Sequence, residues 1–151
     1  MAERDMVLIV DDDENDLVFV RFAFEQVQVS NPIQTLHDGI EAIDYLRGEG
    51  RYSDRQKYPL PCLMLLDLKM PRCDGFEVLA WRQRQAGLQY FPVVVFTSSS
   101  QQRDIQRAME LGATAYAVKP AQLEYLVAMA RELQSKWLEP LNRPRQVMRE
   151  I

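Results

Sequence analysis

Acidic residues crowd the chain directly after its first apolar run. Five of the six residues at positions 11–16 are Asp or Glu, and a separate aspartate, Asp67, ends another apolar run. Carboxylates this close together repel one another, and their pKa values rise unless a cation lies among them. Magnesium suits such a group because it takes one or two carboxylates and keeps water or phosphate oxygens at its other positions. Asp11, Asp12 and Asp67 therefore predict a site for Mg²⁺ or Mn²⁺.

The remaining acids of this run have a simpler interpretation. Negative side chains in the first turn of a helix oppose the positive end of its dipole. Glu14 and Asp16 are interpreted in this way, as solvated residues of the helical turn that follows the strand. For Asp13 both interpretations, metal ligand and helix residue, stay open.

Three side chains at the ends of apolar runs could act on phosphorus. The carboxylate of Asp67 is a competent nucleophile, and its attack on phosphorus yields an aspartyl phosphate. Lys119, which is followed by Pro120, could pair with a carboxylate or with a phosphoryl oxygen. Thr97 follows a run of valines and one phenylalanine and offers a hydroxyl group. Each residue alone is a weak signal, so their meaning depends on where the fold brings them.

The elements that would position these residues alternate along the chain. Short apolar runs, typical of strands buried on both faces, are followed by segments with apolar residues at helical spacing. Strands are predicted at 7–10, 33–37, 62–66, 92–96 and 115–118, and helices at about 17–27, 39–46, 75–85, 105–109 and 123–137. Ser99 or Ser100 is expected to cap the fourth helix.

Five such strand–helix units predict one particular architecture. Buried parallel strands need helices on both faces, which gives a three-layer α/β/α fold. In these sheets the functional site lies outside the carboxyl ends of the strands. The residues that this rule brings together are those that end the apolar runs: Asp11, Asp12, Asp13, Asp67, Thr97 and Lys119.

Length and composition exclude several classes of function. With 151 residues, of which 47% are apolar and 26% charged, the chain is expected to form a single globular domain, with its core at about 6–138 and an irregular tail at 139–151. The net charge of −4 argues against binding to nucleic acid or to acidic membranes. No apolar stretch is long enough to span a membrane, and the amino terminus lacks a basic signal region. With two cysteines at no metal-ligand spacing, these features predict a cytoplasmic protein.

Four motifs in order carry a more specific signal: VLIVDDD, LLDLKMPRCDG, FTSS and GATAYAVKP. Together with the spacing of the strand–helix units, they resemble the receiver domains of bacterial two-component response regulators over positions 7–138. The resemblance implies a flavodoxin-like fold of five units. It also implies a signalling protein that accepts a phosphoryl group on Asp67 from a sensor histidine kinase. Its only catalysis would be of that transfer and of the later hydrolysis.

The same resemblance implies roles for the residues around Asp67. Asp11 and Asp12 would form the acid pair of the metal site. Asp12, Asp67 and the backbone carbonyl of Lys69 would be the ligands of Mg²⁺.

The resemblance also implies a binding site for the phosphoryl group and a switch. The hydroxyl of Thr97 and the ammonium group of Lys119 would bind the phosphoryl oxygens. Thr97 would move toward that group, and Tyr116 would turn inward to fill the space it leaves.

A narrower resemblance points to the single-domain response regulators that are paired with cyanobacterial phytochromes. It rests on the long polar connection at 48–61, the segment at 135–138 and the proline-containing tail, with no output domain expected after Lys119 and Pro120. The expected partner is therefore a phytochrome-type sensor histidine kinase.

Without an output domain, the signal would leave through a surface of the receiver. We expect a symmetric homodimer formed by the fourth helix, the fifth strand and the fifth helix. The fourth helix is expected to present Ile105 and Met109 there, and the final helix Tyr125 and Met129, while Tyr116 on the strand would report phosphorylation.

Three alternatives fit the sequence less well than the receiver. An aspartyl-phosphate phosphatase of the haloacid dehalogenase type needs a second acid two residues after the nucleophile, where this chain has Lys69. A flavodoxin-like flavin carrier needs a Ser/Thr/Gly-rich phosphate loop after the first strand, where this chain has DDDEND. A degenerate receiver that only binds proteins would lack some of the expected site residues, and all of them are present.

Overall fold

A computed structural model describes residues 5–138 as a parallel sheet with helices on both faces. The strands are β1 at Met6–Val10, β2 at Ile33–Leu36, β3 at Pro61–Leu66, β4 at Val93–Thr97 and β5 at Ala115–Val118. Their order in the sheet is β2-β1-β3-β4-β5, and each neighbouring pair is parallel. The predicted fold class is confirmed, and each predicted strand agrees with the observed one to within one residue at either end. The tail predicted at 139–151 lies outside the described residues.

Five α-helices alternate with these strands in the described part of the chain. They are α1 at Glu14–Gln26, α2 at Gly39–Arg47, α3 at Gly75–Gln83, α4 at Gln102–Glu110 and α5 at Leu123–Leu133. The side chains of Asp13, Asp38 and Asp74 cap the first three helices by accepting backbone N–H groups of the first turn. Among the described residues, no helix combines the length and apolar character that crossing a bilayer requires.

Two apolar clusters lie on opposite faces of the sheet. Helices α1 and α5 cover one face, and α2, α3 and α4 cover the other. Because the central strands are buried on both faces, their sequences are continuous apolar runs without alternation. The helix residues that fill the two clusters include Leu17, Val20, Phe24, Leu126 and Leu133 on the first face, and Ala42, Leu46, Val78, Leu79 and Ala108 on the second.

The start of helix α4 differs from the prediction. Its N-cap residue is Gln101, whose side chain makes no capping hydrogen bond, so neither Ser99 nor Ser100 occupies the N-cap position. Ser99 instead accepts a hydrogen bond from the backbone N–H of Gln101 and donates one to Asp104 Oδ2 at 2.6 Å. The expected cap was wrong because the helix begins at Gln102, one or two residues later than a cap at Ser99 or Ser100 would place it. The Ser99 hydroxyl is linked to the first turn of α4 through the side chain of Asp104.

The last helix also departs from the predicted continuous helix. Helix α5 gives way to a wider π-helical turn at Gln134–Leu138, which includes Trp137. Gln134 Nε2 donates a hydrogen bond to the backbone carbonyl of Val27 at 3.1 Å, just beyond the carboxyl end of α1. The buried side chain of Leu138 joins the cluster between α1 and α5. Packing against α1 therefore accompanies the change of helical pitch.

The polar connection between α2 and β3 folds onto the second face of the sheet. A short 3₁₀ turn at Gly50–Tyr52 buries the Tyr52 ring, whose centroid lies 5.0 Å from the centroids of both Tyr45 and Tyr58. The guanidinium of Arg55 donates to the carbonyls of Tyr45 and Tyr58 and to a third carbonyl near the end of α2. The connection is thus held by an aromatic cluster and one arginine.

The surface formed by α4, β5 and α5 exposes apolar side chains, of which Met109 and Tyr125 are among the predicted ones. The exposed ones are Met109, Val118, Leu123 and Tyr125. Ile105 is half-buried, and Met129 packs against the cluster between α1 and α5. The prediction that Met129 faces outward was wrong because this residue lies three positions after buried Leu126, on the same helical stripe.

Candidate functional site

The carboxylates of Asp11, Asp12 and Asp67 meet at the carboxyl edge of the sheet. Strands β1 and β3 are neighbours in which Val10 lies opposite Leu66. The residues that follow these two, Asp11 and Asp67, therefore lie side by side. One oxygen from each of the three carboxylates lies within 4.8 Å of the others. Asp11 and Asp67 are buried, whereas Asp12 is exposed. The structure thus brings together the three carboxylates that the sequence predicts as a cluster.

Lys119 extends from the end of β5 into this cluster. Its Nζ atom lies 2.7 Å from Asp11 Oδ2, 2.7 Å from Asp16 Oδ2 and 3.2 Å from Asp67 Oδ2. Its backbone N–H donates to the carbonyl of Thr97 at 2.7 Å, which ties the end of β5 to the end of β4. The three N–H donors of one ammonium group therefore face three carboxylates.

Burial and charge act in opposite directions on the ionisable groups of the site. Burial raises the pKa of Asp11 to about 6, and the charge of Asp67 also raises it, while the hydrogen bonds from Lys119 and from the backbone of Asp13 lower it. Burial lowers the pKa of Lys119, but its contacts with Asp11, Asp16 and Asp67 outweigh burial, and that pKa lies above its usual value. The lysine is therefore a fixed positive charge, and the cluster around it carries excess negative charge.

The loop after β3 holds the Asp67 side chain from one side. The backbone N–H of Leu68 donates to Asp67 Oδ1 at 2.7 Å, and that of Lys69 lies at 3.5 Å from the same oxygen. Helix α3 begins against this loop, and a Cβ atom at Gly75 would clash with the backbone oxygen of Asp67. Glycine is therefore needed at position 75 for the loop to close over the site. The backbone carbonyl of Lys69 stays a predicted ligand.

Thr97 and Tyr116 lie on the neighbouring strands β4 and β5. The hydroxyl of Thr97 is fully buried, and within residues 5–138 it has no hydrogen-bond partner. The hydroxyl of Tyr116 donates to the backbone carbonyl of Ser99 at 2.9 Å, and the ring is half-buried. Burial raises the pKa of Tyr116, so the ring is neutral near pH 7. A buried hydroxyl without a partner at this edge of the sheet is suited to a ligand that brings an acceptor oxygen.

The other acids of the first run have three different surroundings. Asp13, left open by the sequence, is the N-cap of α1, because its Oδ1 accepts from the backbone N–H of Asn15 and Asp16. Glu14 is exposed and pairs with His37 at 3.0 Å. The interpretation of Asp16 as a solvated turn residue was wrong, because its carboxylate contacts the ammonium group of Lys119.

The position of Asp16 in the first turn of α1 is the one sequence feature that indicates this contact. Side chains of an α-helix tilt toward its amino terminus, and the third residue after the N-cap of α1 therefore leans back toward the strand ends. The distance along the chain to Lys119 is 103 residues, so no local pattern identifies the partner.

The donor set fits a divalent metal ion. Carboxylate oxygens are the ligands that hard cations prefer, and Asp11, Asp12 and Asp67 offer them at close range. With Asp16 and Asp12 counted, the site holds four carboxylates and one ammonium group, so a doubly charged cation would reduce the net negative charge without reversing it.

Comparisons with known proteins agree with this fold. A model of the response regulator receiver domain matches residues 7–131. The chain is 36% identical over 136 residues to the probable methanogenesis regulatory protein FilR2 of Methanothrix harundinacea, across 88% of this chain and 83% of that protein. It is 33% identical over 139 residues to the response regulator Rcp1 of Synechocystis sp., across 92% of both chains.

Solved structures give the same result in three dimensions. The Mn²⁺-bound form of Rcp1 superposes with a TM-score of 0.79 at 34% identity, covering 89% of this chain and 94% of that one. The phosphorylated cyanobacterial phytochrome response regulator RcpA superposes with a TM-score of 0.82 at 33% identity, with the same coverage of 89% and 94%. The chain belongs to the response regulator receiver domains of two-component signalling.

Proposed function

We propose that Asp67 accepts a phosphoryl group from the phosphohistidine of a sensor histidine kinase. The observation that carries this proposal is the setting of the Asp67 carboxylate. It is buried at the end of β3, lies within the carboxylate cluster and has the Lys119 ammonium group 3.2 Å from its Oδ2. A carboxylate beside a fixed positive charge can attack an anionic phosphoryl group once the surrounding negative charge is offset.

The transfer exchanges one bond to phosphorus for another. An Asp67 carboxylate oxygen forms the new O–P bond while the P–N bond to the donor imidazole breaks. The electron pair of that bond stays on the imidazole nitrogen, which regains its proton from solvent. Hydrolysis later attaches a water oxygen to phosphorus, and the Asp67 carboxylate leaves as an anion. The protein promotes these two steps on itself and has no other substrate in this proposal.

Residues around Asp67 supply positive charge and hydrogen bonds for this chemistry. Lys119 would donate to one phosphoryl oxygen, and the buried hydroxyl of Thr97, which has no partner in the described part of the chain, would donate to another. We propose Asp11, Asp12, Asp67 and the Lys69 carbonyl as the residues that hold Mg²⁺. When bound, the metal supplies the remaining positive charge.

The proposed partner is a phytochrome-type sensor kinase. Support comes from the similarity to RcpA, which is described as a cyanobacterial phytochrome response regulator, at a TM-score of 0.82. The cytoplasmic location stays a prediction that rests on the sequence.

Acetyl phosphate with Mg²⁺, followed by intact-mass measurement, tests the proposal directly. We expect the protein to gain the mass of one phosphoryl group. Asp67→Asn should keep its fold by circular dichroism and gain none, because an amide is no nucleophile. Asp74→Asn is the matched control, since an Asn at this helix cap keeps the capping oxygen. Absence of the mass increase in the parent, or its persistence in Asp67→Asn, would contradict the proposal.

We further propose that phosphorylation is signalled through the surface of α4, β5 and α5. Movement of Thr97 toward the phosphoryl group would let Tyr116 leave the Ser99 carbonyl and turn inward. The exposed side chains of this surface, with Tyr125 59% exposed, support its burial in a symmetric homodimer.

Light scattering of phosphorylated and unphosphorylated protein tests the dimer. Tyr125→Glu should shift the population toward monomer, because it places a charge in the proposed interface. Phe19→Glu is the matched control, since Phe19 is an exposed aromatic residue of α1, which packs on α5 but lies outside the proposed surface. A monomer in both states, or a dimer lost only in Phe19→Glu, would contradict this surface.

A further inference from the structure

Asp16 contacts the lysine of the site without belonging to the carboxylate cluster. Its Oδ2 lies 2.7 Å from Lys119 Nζ, as close as the buried Asp11. The carboxylates whose oxygens lie near enough together to hold a metal ion are those of Asp11, Asp12 and Asp67. Among the three carboxylates that contact Lys119, Asp16 is therefore the one outside the candidate metal site.

We propose that Asp16 is a positioning residue that holds the Lys119 ammonium group in place for phosphoryl transfer to Asp67. This inference rests on the proposed function of Asp67 as phosphoacceptor. Asp16 touches neither the nucleophile nor the phosphoryl group, and it acts through Lys119.

The two other partners of Lys119, Asp11 and Asp67, also belong to the candidate metal site. A metal ion bound by Asp11 and Asp67 draws on the same carboxylates that hold the lysine, and the metal and the ammonium group repel each other. Once Asp67 carries a phosphoryl group, its carboxylate no longer has a full negative charge to offer. Neither change draws on the Asp16 carboxylate, which lies outside the carboxylate cluster, so it is the constant anchor of Lys119.

The position of the two side chains supports a held geometry. The Lys119 side chain is 14% exposed and that of Asp16 is 32% exposed, so the contact lies at the rim of the buried site, partly screened from water. Asp16 is fixed by the first turn of α1, whose cap, Asp13, directly follows the metal cluster residues. An anchor on a rigid helical turn restricts the lysine more than solvent would.

A structural alternative is that Asp16 only opposes the dipole of α1. Glu14 offers a matched control for that role. It lies in the same first turn and carries the same charge, but its carboxylate pairs with His37. A dipole effect would respond to loss of either acid, whereas positioning of Lys119 would respond only to loss of Asp16.

The test compares the rate of phosphorylation by acetyl phosphate in Asp16→Asn, Asp16→Glu and Glu14→Gln. In this reaction the Asp67 oxygen forms the O–P bond as acetate leaves with the electron pair of its own bond to phosphorus. We expect Asp16→Asn to lower the maximal rate constant by about tenfold, the size of one lost charge-assisted hydrogen bond. The acetyl phosphate concentration at half-maximal rate should change little, and Glu14→Gln should match the parent. Asp16→Glu should recover part of the rate.

A double-mutant comparison separates positioning from a direct effect. In the Lys119→Met background, Asp16→Asn should have no further effect on the rate, because the residue it acts through is gone. A rate for Asp16→Asn equal to that of Glu14→Gln would overturn the inference while leaving phosphorylation of Asp67 intact. An unchanged tenfold effect in the Lys119→Met background would also overturn it. No phosphorylation of the parent would overturn the proposed function, and the inference with it.

A measurement on the metal-free protein gives a second readout that needs no activity. The ¹⁵N resonance of the Lys119 ammonium group should be visible through its slow proton exchange in the parent and in Glu14→Gln. In Asp16→Asn it should broaden or shift, because one of its three acceptors loses its charge. An unchanged resonance would count against Asp16 as an anchor.

Discussion

Charged side chains are arranged differently in two regions of this molecule. At the ends of β1, β3 and β5, the ammonium group of Lys119 faces Asp11, Asp16 and Asp67, with Asp12 close by. Negative charge is in excess there, and two of the carboxylates are buried.

Along α2 and the connection that follows it, three charged side chains have close partners. Asp38 pairs with Arg72, Glu41 accepts hydrogen bonds from Tyr52 and from the backbone of His37, and Arg55 donates to three carbonyls. Both regions are rich in acids, so acid content does not distinguish them. The difference is whether each charge is offset by a partner. Buried negative charge that is not fully offset marks the place where a cation and a phosphoryl group would add stability.

The largest effect is expected from Arg55, which holds the compensated region together. Arg55→Ala should lower the free energy of unfolding by on the order of 3 kcal/mol, because three carbonyls lose their donor. Arg55→Lys should recover only part, since an ammonium group cannot reproduce the fork of donors. Chemical denaturation measures the change, and Arg84→Ala, at an exposed arginine, serves as control. Equal free energies of unfolding for Arg55→Ala and Arg84→Ala would contradict the role of Arg55 in holding this connection.

Substitution of Asp11 should raise the free energy of unfolding, whereas substitution of Arg55 lowers it, because Asp11 belongs to the region with excess negative charge. Its pKa is raised to about 6 in the folded protein, so the folded state keeps its proton to higher pH than the unfolded state does. Stability from this group is therefore lost as pH rises between about 4 and 6. Without metal and near neutral pH, Asp11→Asn should raise the free energy of unfolding by on the order of 2 kcal/mol.

The pH profile provides the control for Asp11. The stabilities of parent and Asp11→Asn should converge below about pH 4, where the parent is also uncharged at this position. Added Mg²⁺ should stabilise the parent more than the variant. A less stable Asp11→Asn in metal-free buffer near neutral pH would show that the region is compensated after all.

Metal binding tests whether acid content or lack of compensation matters. Asp12→Ala should weaken Mg²⁺ binding by about tenfold or more, which corresponds to a loss of about 1.4 kcal/mol. Asp44→Ala removes an acid from α2 and should leave the affinity unchanged. Titration followed by tryptophan fluorescence or NMR gives both values. Equal weakening in the two variants would contradict the assignment of the site to the strand ends.

The smallest effect is expected at the ion pair between Asp38 and Arg72. Burial raises the pKa of Asp38, but the hydrogen bonds from Arg72 and from the backbone of Glu41 outweigh it and hold that pKa below its usual value. Its stabilisation is therefore present above about pH 4 and lost as pH falls further. Asp38→Asn keeps the helix cap and should be less stable by under about 1 kcal/mol near neutral pH. In thermal unfolding, the stability difference between Asp38→Asn and the parent should disappear at acidic pH. A difference that persists at acidic pH would show that it arises from packing and not from the ion pair.

Much of the site could be predicted because it depends on local pattern and on a general rule. The apolar runs before Asp11, Asp67, Thr97 and Lys119 identify buried strands, and parallel strands bring their carboxyl ends to one edge. Motif order then identifies the family. The cap of α4 was missed because a serine near a helix start can bond to the backbone or to a side chain. That choice depends on the exact residue at which the helix begins.

Sequence alone determined the strands, their parallel arrangement and the residues at their ends, because hydrophobic periodicity and chain connectivity are properties of neighbouring residues. Only the tertiary structure decided which acid shares Lys119 with Asp11 and Asp67, since that contact joins Asp16 to a residue 103 positions away. It likewise decided that the polar connection buries Tyr52. Such contacts depend on the angle at which a helix turn or loop packs on the sheet, and that angle is set by the whole core at once.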